Sequence, residues 1–287
     1  MRNMFKSIVM SFLIKLLTVS VVAAQSDTKS LLWKVSGNGL EKPSYLFGTL
    51  HMMCSSDFVI KDKVTRALES ADRYVIEADI FSPAAMKEMQ AADASPIPQS
   101  KRLSPDQSKM IDSVLRKYTK MTLSQVDNSS LFTISGLMIY ATYPCTDLKM
   151  YEAELLKMAM QRKMKVDTLE TITAQMRFLQ NAYTDEYALA KIQAFEEYKA
   201  FMDGMVKIYK EENLPVIYND MTSEKFMDTN AKYWMLHVRN VNWANKMPDM
   251  MKKGSNFFAV GAGHLGGDDG LIKLLQAKGY TVEPILN

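Results

Sequence analysis

The chain has 287 residues, with 35 basic and 32 acidic side chains, enough length for one large domain or two small ones. Three of the cations, Arg2, Lys6 and Lys15, lie in the first 24 residues, which hold no acid, so the remainder balances at 32 against 32. No field is left to recruit nucleic acid or an anionic membrane, and both drop out as leading partners.

Arg2 and Lys6 precede an apolar run from Ile8 to Ala23 that closes on Val22-Ala23-Ala24, the small-residue pattern of a signal-peptidase site. Residues 1–24 therefore read as an export signal, with a single domain over 25–287 and a periplasmic or secreted location. A membrane anchor is the alternative. Lys15 cuts the run into pieces short for a hydrocarbon core of about 30 Å, so no stable anchor is expected after cleavage. No linker, repeat or low-complexity tract divides the rest. In an oxidising compartment the two cysteines, Cys54 and Cys145, suit one bridge, worth roughly 3–5 kcal/mol on chain-entropy grounds. Two buried free thiols are the other reading.

Two strands, 31–36 and 44–49, flank the Gly/Pro turn region GNGLEKP and predict a hairpin. A helix over about 60–71 leads to a third strand, 74–80, which contains Glu77 and Asp79. Ser104-Pro105 opens a helix as N-cap and first residue. Amphipathic segments follow over 150–163, 171–181, 188–209 and 223–247. A short apolar strand at 257–260, a helix over 271–278 and a last strand at 281–285 close the chain. Strands from both ends can share one sheet only if the helical middle packs over it, which predicts an α/β (α+β) domain with a large helical middle. The many methionines, among them Met150, Met158, Met160, Met176, Met202 and Met205, are expected on apolar helix faces as core filler rather than as a metal-transport tract.

Two segments repeat one form, a strand, a glycine, then a histidine three residues on: Gly48-Thr49-Leu50-His51 and Gly261-Ala262-Gly263-His264. Glycine at a strand end lets the backbone turn or approach a ligand closely, and the histidine then projects at the sheet rim, where α/β folds bind ligands. A third group is needed for metal chemistry. Glu77 is the candidate, because a carboxylate inside a strand is costly to bury unpaired, and Asp79 would share its face. Two histidines and a carboxylate suit Zn, Mn or Co as a divalent ion with an open position for water. Without a metal, the same set could act as general base and orienting partner. Separate polar residues at strand ends remain the plain alternative.

His237, within the predicted helix 223–247, reads as a half-exposed helix histidine. On that helix Arg239, Asn240 and Trp243 place a fixed cation, an amide and an aromatic within about one turn, and Arg239 could orient Glu77 or bind a carboxylate. Glu170 and Gln175 fit a helix start as well as a site. His51 and Cys54, three apart on an extended chain, point to opposite faces, which argues against a shared soft Cu(I) site.

Five stretches, LLWKVSG…SYLFGTLH, VIEADI, TLETITAQ, RNVNWANKM and FFAVGAGHLGGDDGLIKLLQAKGYTVEPI, resemble in order the TraB/PrgY/GumN family, which includes the animal Tiki proteins. The resemblance implies an erythromycin-esterase/Tiki-like fold in the exported GumN-like branch. It also implies a metal-dependent peptidase in which the histidines of the two G-x-x-H motifs, His51 and His264, and the glutamate Glu77 hold the ion. On the reading of the residues, Arg239 joins the catalytic set, with Gly48, Gly261, Asn240 and Glu170 in support. One departure is Asp167, at a place where glycine is expected, and it bears on Glu170. The expected activity is hydrolysis of a peptide or another small amide substrate. The alternatives are a binding protein that sequesters a peptide or haem in the same cleft, and an accessory role in envelope polysaccharide export.

Overall fold

A computed structural model describes residues 29–93, 95 and 97–286. The expected export signal lies outside them. In chain order the strands are β1 (Leu32–Ser36), β2 (Ser44–Thr49), β3 (Met52–Cys54), β4 (Arg73–Ile76), β5 (Leu148–Met150), β6 (Lys165–Thr168), β7 (Asn256–Gly261) and β8 (Thr281–Pro284). The helices are α1 (Asp62–Ser70), α2 (Pro83–Asp93), α3 (Gln99–Arg102), α4 (Pro105–Tyr118), α5 (Leu131–Tyr140), α6 (Tyr151–Gln161), α7 (Ile172–Ala182), α8 (Asp185–Gln193), α9 (Phe195–Lys210), α10 (Leu214–Met221), α11 (Thr229–Lys232), α12 (Val238–Met251) and α13 (Leu271–Ala277).

Six strands form one mixed sheet in the order β6-β4-β7-β2-β1-β8. The β1–β2 hairpin is antiparallel, whereas β6, β4, β7 and β2 run parallel. A sheet drawing strands from both ends of the chain around a large helical middle is the architecture expected. β7 is buried along its whole length, as a parallel strand covered on both faces must be. Its Phe257 and Phe258 join Leu32, Tyr74, Leu155 and Trp243 in the main core. A second core lies wholly within the helical middle, where Ile111, Leu115, Ile134 and Met138 meet Ile192 and Phe195.

Several boundaries differ from the expectation, each for a local reason. β4 stops at Ile76, so Glu77 and Asp79 lie beyond the strand rather than on one of its faces. The Asp79 carboxylate instead accepts from the Phe81 and Ser82 N–H groups and shapes the turn into α2, so it forms no carboxylate pair with Glu77. The segment 188–209 is broken at Ala194, which separates α8 from α9 and turns Phe195 into the second core against Tyr118. The helix expected from residue 223 starts at Thr229, where the Asp228 side chain accepts from the Ala231 N–H as an N-cap. Between α11 and α12 the chain makes a wide π-helical turn over Tyr233–His237. Ser104 caps α4 as expected, and the reciprocal bond from Gln107 completes a capping box. Met160 departs from the core-filler reading at 65% exposed, whereas Met176 and Met205 are buried.

Cys54 and Cys145 are bridged, which removes the free-thiol alternative. The bridge closes a small second sheet in which β3 pairs antiparallel with β5, Met52 opposite Met150 and Cys54 opposite Leu148. This sheet sets His51, just before β3, beside the start of α6, just after β5.

Candidate functional site at the carboxyl edge of the sheet

Four adjacent parallel strands end at the same edge, and each delivers a polar side chain just past its last residue. Glu170 follows β6, Glu77 follows β4, His264 follows β7 and His51 follows β2. The carboxyl edge of a parallel sheet is where the chain turns away and leaves a crevice.

The two motif glycines have distinct steric jobs. A methyl at the Cβ position of Gly48 would stand 2.9 Å from Leu265 Cδ1 and 3.0 Å from Ala262 Cα, so Gly48 lets the second motif pack onto the first. At Gly261 the same methyl would lie 3.3 Å from His51 Nε2 and 3.5 Å from Glu77 Oε1. Those two atoms therefore converge on the space a side chain would fill.

Glu77 is the hinge of the cluster. It is 7% exposed; its Oε1 accepts the Gly261 N–H at 2.8 Å and stands 3.7 Å from His264 Nε2. Its Oε2 takes Arg239 Nη2 at 2.6 Å and the Gln175 amide at 3.4 Å. Burial pushes the Glu77 pKa up, but the Arg239 guanidinium, both imidazoles and the Gly261 N–H together outweigh it, and the carboxyl is held well below its usual range. Glu77 is thus anionic at any physiological pH. Arg239 also binds Glu170, through Nη2 at 2.8 Å and Nε at 3.1 Å, and Trp243 Nε1 donates to the other Glu170 oxygen at 3.0 Å. Burial raises the Glu170 pKa against the pull of Arg239. Glu170 is thus tied through Arg239 to the same cluster as Glu77.

Each histidine is oriented from behind. Asn240 donates its amide to the Asp269 carbonyl at 2.8 Å, which turns its Oδ1 onto His264 Nδ1 at 2.6 Å. His264 Nδ1 therefore carries the proton, and Nε2 accepts from Arg239 Nη1 at 3.2 Å. Burial and then Arg239 depress the His264 pKa to about 3, so the ring is neutral. His51 Nδ1 bonds Glu152 Oε1 at 2.8 Å, and Thr49 Oγ1 donates to that oxygen at 2.6 Å. The Glu152 charge, opposed by desolvation and helped by the hydrogen bond, raises the His51 pKa to about 9. Water reaches the ring, whose side chain is 59% exposed, and screens part of that attraction.

Glu152 was not singled out by the sequence. An acidic residue in the first turn of α6 is ordinary helix-dipole placement, and no local pattern marks it. Its burial next to His51 is visible only in three dimensions. His237 is half-exposed, as expected, but it pairs with Asp269 at 2.8 Å and takes no part in the cluster.

These residues fit a divalent transition ion in donor type: two imidazoles and a carboxylate. Two buried carboxylates, Glu77 and Glu170, share the Arg239 guanidinium, a third, Glu152, pairs with His51, and Glu152 Oε2 has no hydrogen-bond partner. Both rings have Nδ1 tied to an oxygen, the outer arrangement common at metal-binding imidazoles. Among the described residues His51 Nε2 has no hydrogen-bond partner, whereas His264 Nε2 accepts from Arg239 Nη1 and would have to give up that bond to hold an ion. Among the described residues, no group of three His, Cys, Asp or Glu side chains is placed as it stands to hold a metal ion.

The TraB/PrgY/gumN family profile matches residues 31–284. The chain belongs to the TraB/PrgY/gumN family. No curated protein and no solved structure matches it. The family match spans every strand of the central sheet, and so all four strand ends that build the cluster.

Proposed function

We propose that this TraB/PrgY/gumN-family chain is an exported hydrolase of peptide or other amide bonds, with its reaction centre at His51, Glu77 and His264. The observation that supports this most is the convergence of His51 Nε2 and Glu77 Oε1 on Gly261, with His264 Nε2 3.7 Å from the same carboxylate oxygen. A divalent Mn, Co or Zn ion held by these three residues would supply Lewis acidity and a water of lowered pKa.

The surrounding side chains have separable tasks. Glu152 and Asn240 hold the imidazole orientations. Arg239 keeps Glu77 ionised and neutralises part of the buried charge. Glu77 is too acidic to store a proton, so its role is to bind and orient. The cavity in front of the cluster, about 260 Å³, has Met, Phe and Tyr walls that accept an apolar substrate group. Export is supported by the leader-like pattern of residues 1–24 and by the Cys54–Cys145 bridge, because such bridges persist in oxidising compartments.

A peptide-library digestion read by mass spectrometry, with and without Mn²⁺, tests the proposal. We expect metal-stimulated cleavage that disappears in His51→Ala and His264→Ala chains of unchanged circular dichroism. Cleavage that is equal in wild type and both variants, or absent with every ion tried, contradicts it. The apolar cavity favours one second reading, sequestration of a peptide without turnover, for which the same digestion would show protection instead.

A further inference from the structure

The cavity beside His51, Arg239 and His264 is walled on its other sides by the helical middle. Met138 of α5, Tyr187 and Lys191 of α8, Tyr198 and Phe201 of α9, and Phe226 ahead of α11 all line it. Most of this wall is apolar or aromatic. Its cations are therefore conspicuous, and all but one are already matched. Arg239 is held by Glu77 and Glu170, His51 by Glu152, and His264 is neutral.

Lys191 is the exception. Among the described residues no carboxylate forms an ion pair with it. Its Nζ donates to the Phe226 carbonyl, which already accepts the Tyr187 hydroxyl at 2.8 Å. The ammonium lies against the rings of Tyr187, Tyr198 and Phe226, with centroids at 5.1, 5.4 and 5.6 Å. Aromatic faces attract a cation but offer no lone pair, and an ammonium has three protons to place. Burial, opposed by Asp228, lowers its pKa to about 8, the mark of a cation short of partners.

We propose that Lys191 anchors a substrate carboxylate, so that the cavity receives the C-terminal residue of a peptide with its apolar side chain among the Met, Phe and Tyr walls. This rests on the amide-hydrolase reading and gives it a direction: the enzyme works from the carboxyl end. An internal segment with no acidic side chain would bring no anion to Lys191, whereas the carboxyl end of a peptide always does. Hydrolysis of the last amide adds one water across the C–N bond, leaving a new carboxylate on the shortened peptide and an amine on the released amino acid. The anchored carboxylate is unchanged.

The test uses equilibrium binding to the full chain of two probes with no bond to hydrolyse, hydrocinnamate and hydrocinnamyl alcohol. The wild type should bind the acid about tenfold more tightly than the alcohol, as a charge-assisted hydrogen bond in a partly desolvated pocket requires. Lys191→Met should equalise the two, and Lys191→Arg should keep the preference. Equal affinities in the wild type, no saturable binding of the acid, or a preference that survives Lys191→Met overturns the proposal. If the Lys191→Met chain fails to fold, Lys191→Gln is the neutral variant for the same comparison, and an acid preference that survives it overturns the proposal. Acid preference without peptide cleavage would remove the hydrolase reading and keep the anchor. Cleavage without acid preference would do the reverse.

Discussion

The carboxyl edge of the sheet and the helical middle solve opposite problems. At the edge, four strand ends bring buried charges together, and nearly every polar atom there has a named partner. In the middle, Ile111, Leu115, Ile134 and Met138 form an apolar core with no charged member. The edge depends on directional bonds that fail together, and the middle on packing that fails by degrees. The difference teaches where function and stability can be separated in this chain.

The largest expected effect tests the edge. Arg239→Met strips the shared cation from Glu77 and Glu170, and breaking such a buried network should cost about 3–5 kcal/mol in urea unfolding. A loss below 1 kcal/mol, roughly that of an exposed ion pair, would show that the two carboxylates do not need it. Next comes the bridge. The Cys54→Ser/Cys145→Ser double variant should lose about 2–4 kcal/mol, and the His51 pKa should move down because the β3–β5 ladder no longer holds the ring on Glu152. Unchanged His51 titration by NMR would separate the bridge from the site.

The helical middle provides the contrast. Ile134→Val should cost about 0.5–1.5 kcal/mol in the same unfolding assay and leave the His51 titration where it was. A shift in that titration would couple the two regions. The effect most reduced by solvent screening belongs to Glu152→Gln, which in metal-free protein should lower the His51 pKa from about 9 toward 6.5. The sign follows from linkage. A pKa raised on folding gives a contribution that is complete below 6.5 and lost as the pH climbs through about 9, so wild type and variant should differ in stability at pH 6 and converge above that. A difference that grows with pH instead would contradict the pairing.

The same contrast explains what the sequence revealed. The hairpin, the buried strand at 257–260 and the capped helix at Pro105 were legible because alternation, apolar runs and Ser-Pro capping are local signals. Gly48, His51, Gly261 and His264 were legible because each pair sits within four residues, and Arg239 and Asn240 because they share a turn. Glu77 was picked for being a carboxylate in a strand. In the structure it lies one residue past the strand, and its burial comes from Arg239 on a distant helix. Asp79 was misplaced for the same reason, since the strand ended sooner than its β-branched and aromatic residues suggested. Glu152 and Lys191 left no local trace at all. Each is an ordinary charged helix residue until the β3–β5 sheet or the break at Ala194 turns it toward the cavity.

The central claim is that His51, Glu77 and His264 act as one ligand set, and a Co²⁺ titration of metal-free protein followed by visible absorption tests it most directly. The account predicts ligand-field bands that saturate at one ion per chain in the wild type and vanish in His51→Ala and in His264→Ala, with circular dichroism unchanged. Bands that persist in both variants, or no bands in the wild type, would contradict it.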